Sequence, residues 1–386
     1  MGYDIISADT HMDLRWLPPD LFVSRAPDSL RPHMPRVEAL DRGDYWFVQG
    51  REFCAVGSDS AGVREGHAYT PGESLHMDRM AEVGFFDGVA QGIYHPVDPA
   101  LRVKDQDIDG IDAEVIYGIL GIAGGMFIDS GPEADTLIAI YDIYNEYVAG
   151  LVKGYEEKMA ALACITCHDP RVSARQLRTA AELGLRGAEV NVSQMVKPIY
   201  HEDWDVLWET AAECEMPISF HTLGLDYAKP NPAESKKYEW VDTGLLFVLF
   251  QLSGAEFLVS VLLSGACEKH PSFNFVLGEC GVGWLPYVLE RTDNEYKDRL
   301  FHLGLPKMPS EYWKRQGYST FQEEFVSLDQ VERISAESIM WGSDYPHQDG
   351  VFPDSRKAIR EGLGHLPEGV LRKIVCENAA RLYKFN

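Results

Sequence analysis

"IMWGSDYPHQDG", residues 339–350, runs an apolar stretch, Ile339-Met340-Trp341, into a glycine. It then places two aspartates and a histidine within six residues, Asp344, His347 and Asp349. A buried strand that stops at acid and imidazole groups is either an ordinary polar turn or one wall of a metal site. In the second case its partners must come from distant parts of the chain, so the reading turns on how the other apolar runs end.

There are seven more such runs, rich in Val, Ile and aromatics: residues 4–11, 113–119, 159–167, 187–192, 217–222, 274–280 and 317–322, with 338–346 as the eighth. Between them lie longer amphipathic stretches, among them 133–155, 174–184 and 204–214, the last with Asp203 as its expected N-cap. Short apolar runs alternating with helical ones are the α/β pattern. Eight units point to a closed (β/α)8 TIM barrel rather than an open sheet. Neither a G-x-G-x-x-G nor a G-x-x-x-x-G-K-[ST] turn is present, and "GIAGG" at 121–125 lacks that spacing. Residues 14–105, between the first two strands, far exceed an ordinary connection. They are rich in proline and carry a hairpin signal, "YWFVQGREFCAV", around Gln49-Gly50. We read residues 1–386 as one barrel domain with 14–105 as an inserted cap over its mouth, and 223–243 as a second long loop after strand five. Both follow strand C-termini, the end at which barrel enzymes build their sites.

Composition narrows the partners. Apolar residues make up 45% of the 386, ordinary for a chain with a sizeable core. The net charge of −25 repels phosphate backbones and anionic lipid heads, so neither nucleic acid nor a membrane surface is expected. The N-terminus lacks a secretory pattern, and seven scattered cysteines do not form a disulfide framework; a cytoplasmic location is expected. Cys164-x-x-Cys167 lies within an apolar run and reads as buried thiols. Residues 244–267 are long and apolar enough to raise a membrane span, but Gln251 and Glu256 argue for a buried or subunit-contacting helix. A homo-oligomer, such as a dimer, or a complex with a related subunit is therefore expected.

The strand ends carry the chemistry. Strand one ends in Asp9 and His11, which share a face by the two-residue period. Strand four offers Glu189 or Asn191, strand five His221, strand six Glu279, and strand eight Asp344 with His347 just beyond. Singly, each has a bland reading: His221 as a satisfied core histidine, Asp9 and His11 as a capped turn, Asp344 as an N-cap. Jointly, three imidazoles and three carboxylates at the same end of a barrel suit one or two divalent ions, zinc, iron or manganese, with a position open to water or substrate. Asp13 and Asp349 are expected behind the ligands or in loops. His95, His168, His201 and His270, near turns or prolines, are expected to be structural. A serine elbow and an H-E-x-x-H helix are both missing.

"SADTHMD", "DIDGIDAEVIYG", "DWDVLWETAAECEMPISFHT", "HPSFNFVLGECGVGWLPYVLER", "IMWGSDYPHQDG" and "ENAARLY" resemble successive blocks of the amidohydrolase-related family, the second amidohydrolase branch of metal-dependent barrels. The resemblance implies a metal held by Asp9, His11, His221 and Asp344, with Asp344 taking a proton from water. Two departures stand out: Asp-x-His replaces the commoner His-x-His on strand one, and Glu279 stands where decarboxylating members have a histidine. The expected activity is a metal-dependent hydrolase of a small organic substrate, with Asp344 and His347 catalytic. A non-haem iron oxygenase, a decarboxylase and a catalytically degenerate partner subunit are the alternatives.

Overall fold

The computed structural model describes residues 2–57, 69–72, 74–123, 132–221 and 235–385. Its centre is a barrel of parallel strands. β1 (Ile6–His11) is followed, after three short antiparallel strands, by β5 (Ala113–Tyr117), β6 (Met159–Ala161) and β7 (Ala163–Ile165). The chain then forms β8 (Ala188–Val190), β9 (Ile218–His221), β10 (Phe275–Gly278), β11 (Gly317–Phe321) and β12 (Ile339–Trp341). β6 and β7 are one barrel strand interrupted at Leu162: below the break it pairs with β5, above it with β8. β7 through β12 pair in chain order, every pair parallel. The ring is completed where Asp344 N donates to Asp9 O (2.9 Å) and His11 N to Tyr345 O (2.6 Å). All six residues of β1 and all five of β5 are buried, as expected for strands covered on both faces.

The expected hairpin is present. β3 (Gly43–Val48) and β4 (Arg51–Ala55) pair antiparallel across a turn in which Gln49 and Gly50 both take positive φ, and β2 (Arg36–Leu40) lines the other side of β3. Trp46 and Val48 sink into the same apolar core as the barrel strands, so this small sheet has no core of its own. A helix at Leu75–Glu82 and another at Pro99–Asp109 complete the described part of the insertion, the second capped by Asp98, which accepts from the amides of Ala100 and Leu101.

Three expectations are corrected. The apolar stretch 244–267 is not one helix: Ser235–Leu249 gives way to a 3-10 turn at Phe250–Ser253 before Gly254–Leu263 resumes. Among the described residues, no helix is long and apolar enough to cross a membrane. The loop expected at 223–243 is helical from Ser235, and its earlier part lies outside the described residues. Asp203 does not cap 204–214; it sits inside a 3-10 turn and pairs with Lys197, while His201 caps that turn by accepting from Asp203 N. Among the histidines expected to be structural, His95 bonds Asp105 (2.8 Å) and His270 approaches Asp205 (3.4 Å). Cys164 and Cys167 are free and buried.

Candidate metal centre

β1 contributes its last turn of backbone. Between Ile6 and His11 it takes one residue more than β5 does over the same register, Ala113 to Tyr117. Such an irregularity re-aims side chains, and here it lies at Asp9. Asp9 Oδ2 is fixed by Thr320 Oγ1 (2.6 Å) and by the amide of Glu279 (3.0 Å), so Oδ1 is left facing His11 Nε2 at 3.3 Å and His221 Nε2 at 3.9 Å. His221 ends β9 and stands 3.5 Å from Glu279 Oε2. Glu279 lies one residue beyond β10 with φ 52°, and Asp344, beyond β12, has φ 55°. Two non-glycine residues in the left-handed region, both at the mouth, mark backbone held in a costly conformation to aim a side chain.

Gly342 of the opening motif and Gly278 at the end of β10 now have reasons. A Cβ on Gly342 would lie 2.5 Å from Asp9 Cβ, so β12 can lie this close to β1 only without a side chain there. One on Gly278 would press on the His221 ring at 3.0 Å. Past Gly342, Asp344 Oδ1 lies 3.0 Å from His11 Nε2 and 3.1 Å from His347 Nδ1, and the two imidazoles stack at 3.9 Å between centroids. The other nitrogen of His347 faces Asp13 at 3.3 Å. All six expected ligands, Asp9, His11, His221, Glu279, Asp344 and His347, therefore converge.

Three overlapping clusters could each hold a cation: Asp9/His11/His221, His11/Asp344/His347 and Glu279/Asp344/Asp349, with ligand atoms within 4.8 Å of one another in each. Asp349, expected in a loop, thus joins the third as its exposed member. The fit to a metal rests on satisfaction. Asp344 is fully buried, and among the described residues its Oδ2 has no partner while its Oδ1, like Asp9 Oδ1, meets only imidazole nitrogens. Buried charged oxygens are costly to leave unbonded. Anionic and imidazole donors aimed at one another are what a divalent ion would satisfy.

The charges are strongly coupled. Burial and His347 oppose a proton on His11, but the facing carboxylates of Asp344 and Asp9, which accept from the protonated ring, outweigh them and raise it to about 9. Burial likewise opposes charge on Asp344, yet His347 and His11 hold its carboxyl well below the usual range. Burial pushes Glu279 well above the ordinary value, and Asp344, Asp349 and Asp9 add to the effect. Glu189, the doubtful residue of strand four, is buried away from these contacts. It accepts from Gly118 N (2.5 Å) and Cys164 Sγ (3.1 Å), and burial raises it to about 7. Asn191 is buried beside Leu120.

Several contributors were not singled out from sequence. Thr320, near the end of β11, bridges Asp9 and the Glu279 amide (2.6 Å to each). Arg102 is fully buried beneath the mouth. It donates to Glu114 (2.5 and 3.0 Å), His11 O (3.0 Å), Pro96 O (3.0 Å) and Thr10 Oγ1 (2.9 Å). His76, on the inserted helix, also belongs to this region.

Barrel and strand-end cluster together fit a metal-dependent enzyme. The amidohydrolase family model matches residues 122–385, and the chain belongs to that family, in its second branch. It is 25% identical over 319 residues to the decarboxylase OrsB of Emericella nidulans, spanning 78% of this chain and 91% of that protein. Among solved structures it resembles an amidohydrolase from Mycobacterium avium subsp. paratuberculosis (TM-score 0.73, 16% identity, 99% of this chain and 100% of that one). It also resembles a dihydroxybenzoic acid decarboxylase from a Polaromonas species, solved with manganese and 2-nitroresorcinol (TM-score 0.63, 18% identity, 100% of this chain and 98% of that one).

Proposed function

We propose that the protein is a metal-dependent hydrolase of a small, uncharged organic substrate such as an ester, thioester, lactone or amide. The observation that supports this is the sign of the site. Asp9, Glu279, Asp344 and Asp349 supply four carboxyls around the two outer clusters, with Asp13 behind His347. A single divalent ion leaves such a site anionic or neutral, which disfavours a substrate that must arrive as a carboxylate.

Asp9, His11 and His221 would hold one ion. Glu279, Asp344 and Asp349 share no residue with that set and offer the donors for a second. So many carboxylates favour manganese or iron over zinc. A bound ion supplies Lewis acidity and lowers the pKa of water. Asp344 then acts as the proton acceptor, because its Oδ2 has no partner among the described residues and the two imidazoles at Oδ1 keep it ionised. His347, held between Asp344 and Asp13, keeps the proton that balances this carboxylate and offers it to oxygen that gains charge.

A second reading, decarboxylation of a hydroxylated aromatic acid, is favoured by the named activities of OrsB and the Polaromonas enzyme. One assay separates the two. Protein prepared without chelator or metal-affinity tag, then loaded with manganese, is offered esters, thioesters, lactones, amides and hydroxybenzoates. Acid release from the first group is expected; carbon dioxide from the benzoates with no acid release from the others sinks the hydrolase.

A further inference from the structure

The insertion brings an imidazole to the mouth that the strand ends do not account for. On the helix Leu75–Glu82, His76, Arg79 and Met80 are spaced i, i+3 and i+4 and so share one face. That face is docked on the segment that begins with Asp344. Arg79 Nε and Nη2 donate to the two carboxylate oxygens of Asp354 at 3.1 and 3.2 Å. Met80 is buried in an apolar cluster with Phe85, Tyr345 and Phe352, and Tyr345 directly follows Asp344. His76 lies on that face, and the charges of Asp344 and Asp354 both reach it. Its Nε2 is shielded from solvent and has no hydrogen-bond partner among the described residues.

A polar atom buried without a partner is expected to find one in the working protein. Among the described residues, His76 is in none of the three clusters that could hold a cation, so a ligand role is not where it fits. Resting on the reading of the mouth as a metal-dependent active site, we propose that His76 is the cap's substrate-contacting residue, its Nε2–H hydrogen-bonding the oxygen that gains charge on the metal-anchored substrate. A neutral imidazole suits that task, since it donates a hydrogen bond without adding a proton to be lost. Burial lowers the pKa of His76, with Asp344 and Asp354 only partly opposing, which keeps the ring neutral at pH 7. The cap would then complete the site as well as cover it.

The test uses acetohydroxamate as a metal-anchored oxyanion probe, titrated by calorimetry into the manganese-loaded full chain. His76→Ala is expected to weaken binding roughly tenfold at pH 8, the worth of one buried neutral hydrogen bond. Metal content and melting temperature should not change. His76→Gln, which keeps an N–H donor, is expected to recover part of the loss. Leu75→Ala, 88% exposed on the same helix, is expected to bind as wild type. Unchanged affinity in a fully metal-loaded His76→Ala protein overturns the role of His76 and leaves the metal site standing. Wild-type protein that takes up no metal overturns the functional reading itself, and this inference with it.

Discussion

Two regions reach the mouth of the barrel, and they hold their side chains by different means. The strand ends are fixed by the parallel ladder: Gly278 pairs with His221 in register, and His11 with Tyr117, so the heights of these two imidazoles are set by backbone hydrogen bonding. Among the described residues, the insertion has no such ladder to the barrel. It is anchored by side chains: Arg79 to Asp354, Met80 to Tyr345 and Phe352, and Arg102 to Glu114 and the carbonyl of His11. Backbone ladders tolerate the loss of one side chain, whereas side-chain anchors do not. Strand-end substitutions should therefore cost chemistry, and anchor substitutions should cost assembly.

The sharpest break is at Asp344. Asp344→Asn keeps the shape but removes the proton acceptor, and turnover should fall by about 10²–10⁴-fold while circular dichroism and melting are retained. Full activity in the variant would remove the proton-transfer role. The anchor counterpart is Arg102→Ala. It leaves Glu114 buried and uncompensated, and a loss of about 3–5 kcal/mol in chemical denaturation is expected. Metal content should fall with it, because His11 loses the group that holds its carbonyl. A stable, metal-replete Arg102→Ala protein would erase the distinction between the two regions.

How much of this was legible in the sequence follows the same division. A strand's C-terminal residue is a local fact, so Asp9, His11, His221 and Asp344 could be gathered from eight short runs without knowing any contact. Glu279 was expected on its strand and lies one residue past it, turned by its positive φ. Thr320 escaped notice because a strand hydroxyl has no distinctive neighbour pattern until it is seen between Asp9 and the Glu279 amide. His76 was invisible for a stronger reason. Its place depends on an ion pair between residues 275 positions apart, and no local spacing encodes that. The break at Phe250–Ser253 was not foreseen either, since it falls in a mostly apolar stretch with no proline to mark it.

A smaller effect probes the barrel interior below the mouth. Burial raises Glu189 from 4.5 to about 7, so the folded state binds a proton that the unfolded state has released. Stability should fall as pH rises from about 4.5 to about 7 and level off above that, because the unfolded chain binds fewer protons in this window. Glu189→Gln keeps the acceptor for Gly118 and Cys164 and removes the titration. At pH 8 the variant should be about 1–3 kcal/mol more stable than wild type, and at pH 4.5 indistinguishable from it. A constant difference across that range would mean that Glu189 is not held neutral by burial.

The finest test separates proton from metal at the strand ends. In the metal-free protein His11 holds its proton up to about pH 9, against 6.5 for an ordinary histidine, because Asp344 and Asp9 face it. Its contribution to apoprotein stability is thus complete below pH 6.5 and lost as pH rises through 9. A cation at the same carboxylates requires the neutral ring, so metal and proton compete for one place. Manganese affinity, measured by competition with a chelator of known pH dependence, should rise about tenfold per pH unit below 9 for each proton displaced, then flatten. Asp344→Asn, which takes away the larger share of what holds that proton, should move the flattening to lower pH while weakening the affinity above it. His76→Ala should leave the whole curve in place, since the cap's imidazole is in none of the cation clusters. A slope near zero in wild type would mean that the imidazole of His11 is already neutral, and that the carboxylates facing it are balanced by something other than its proton.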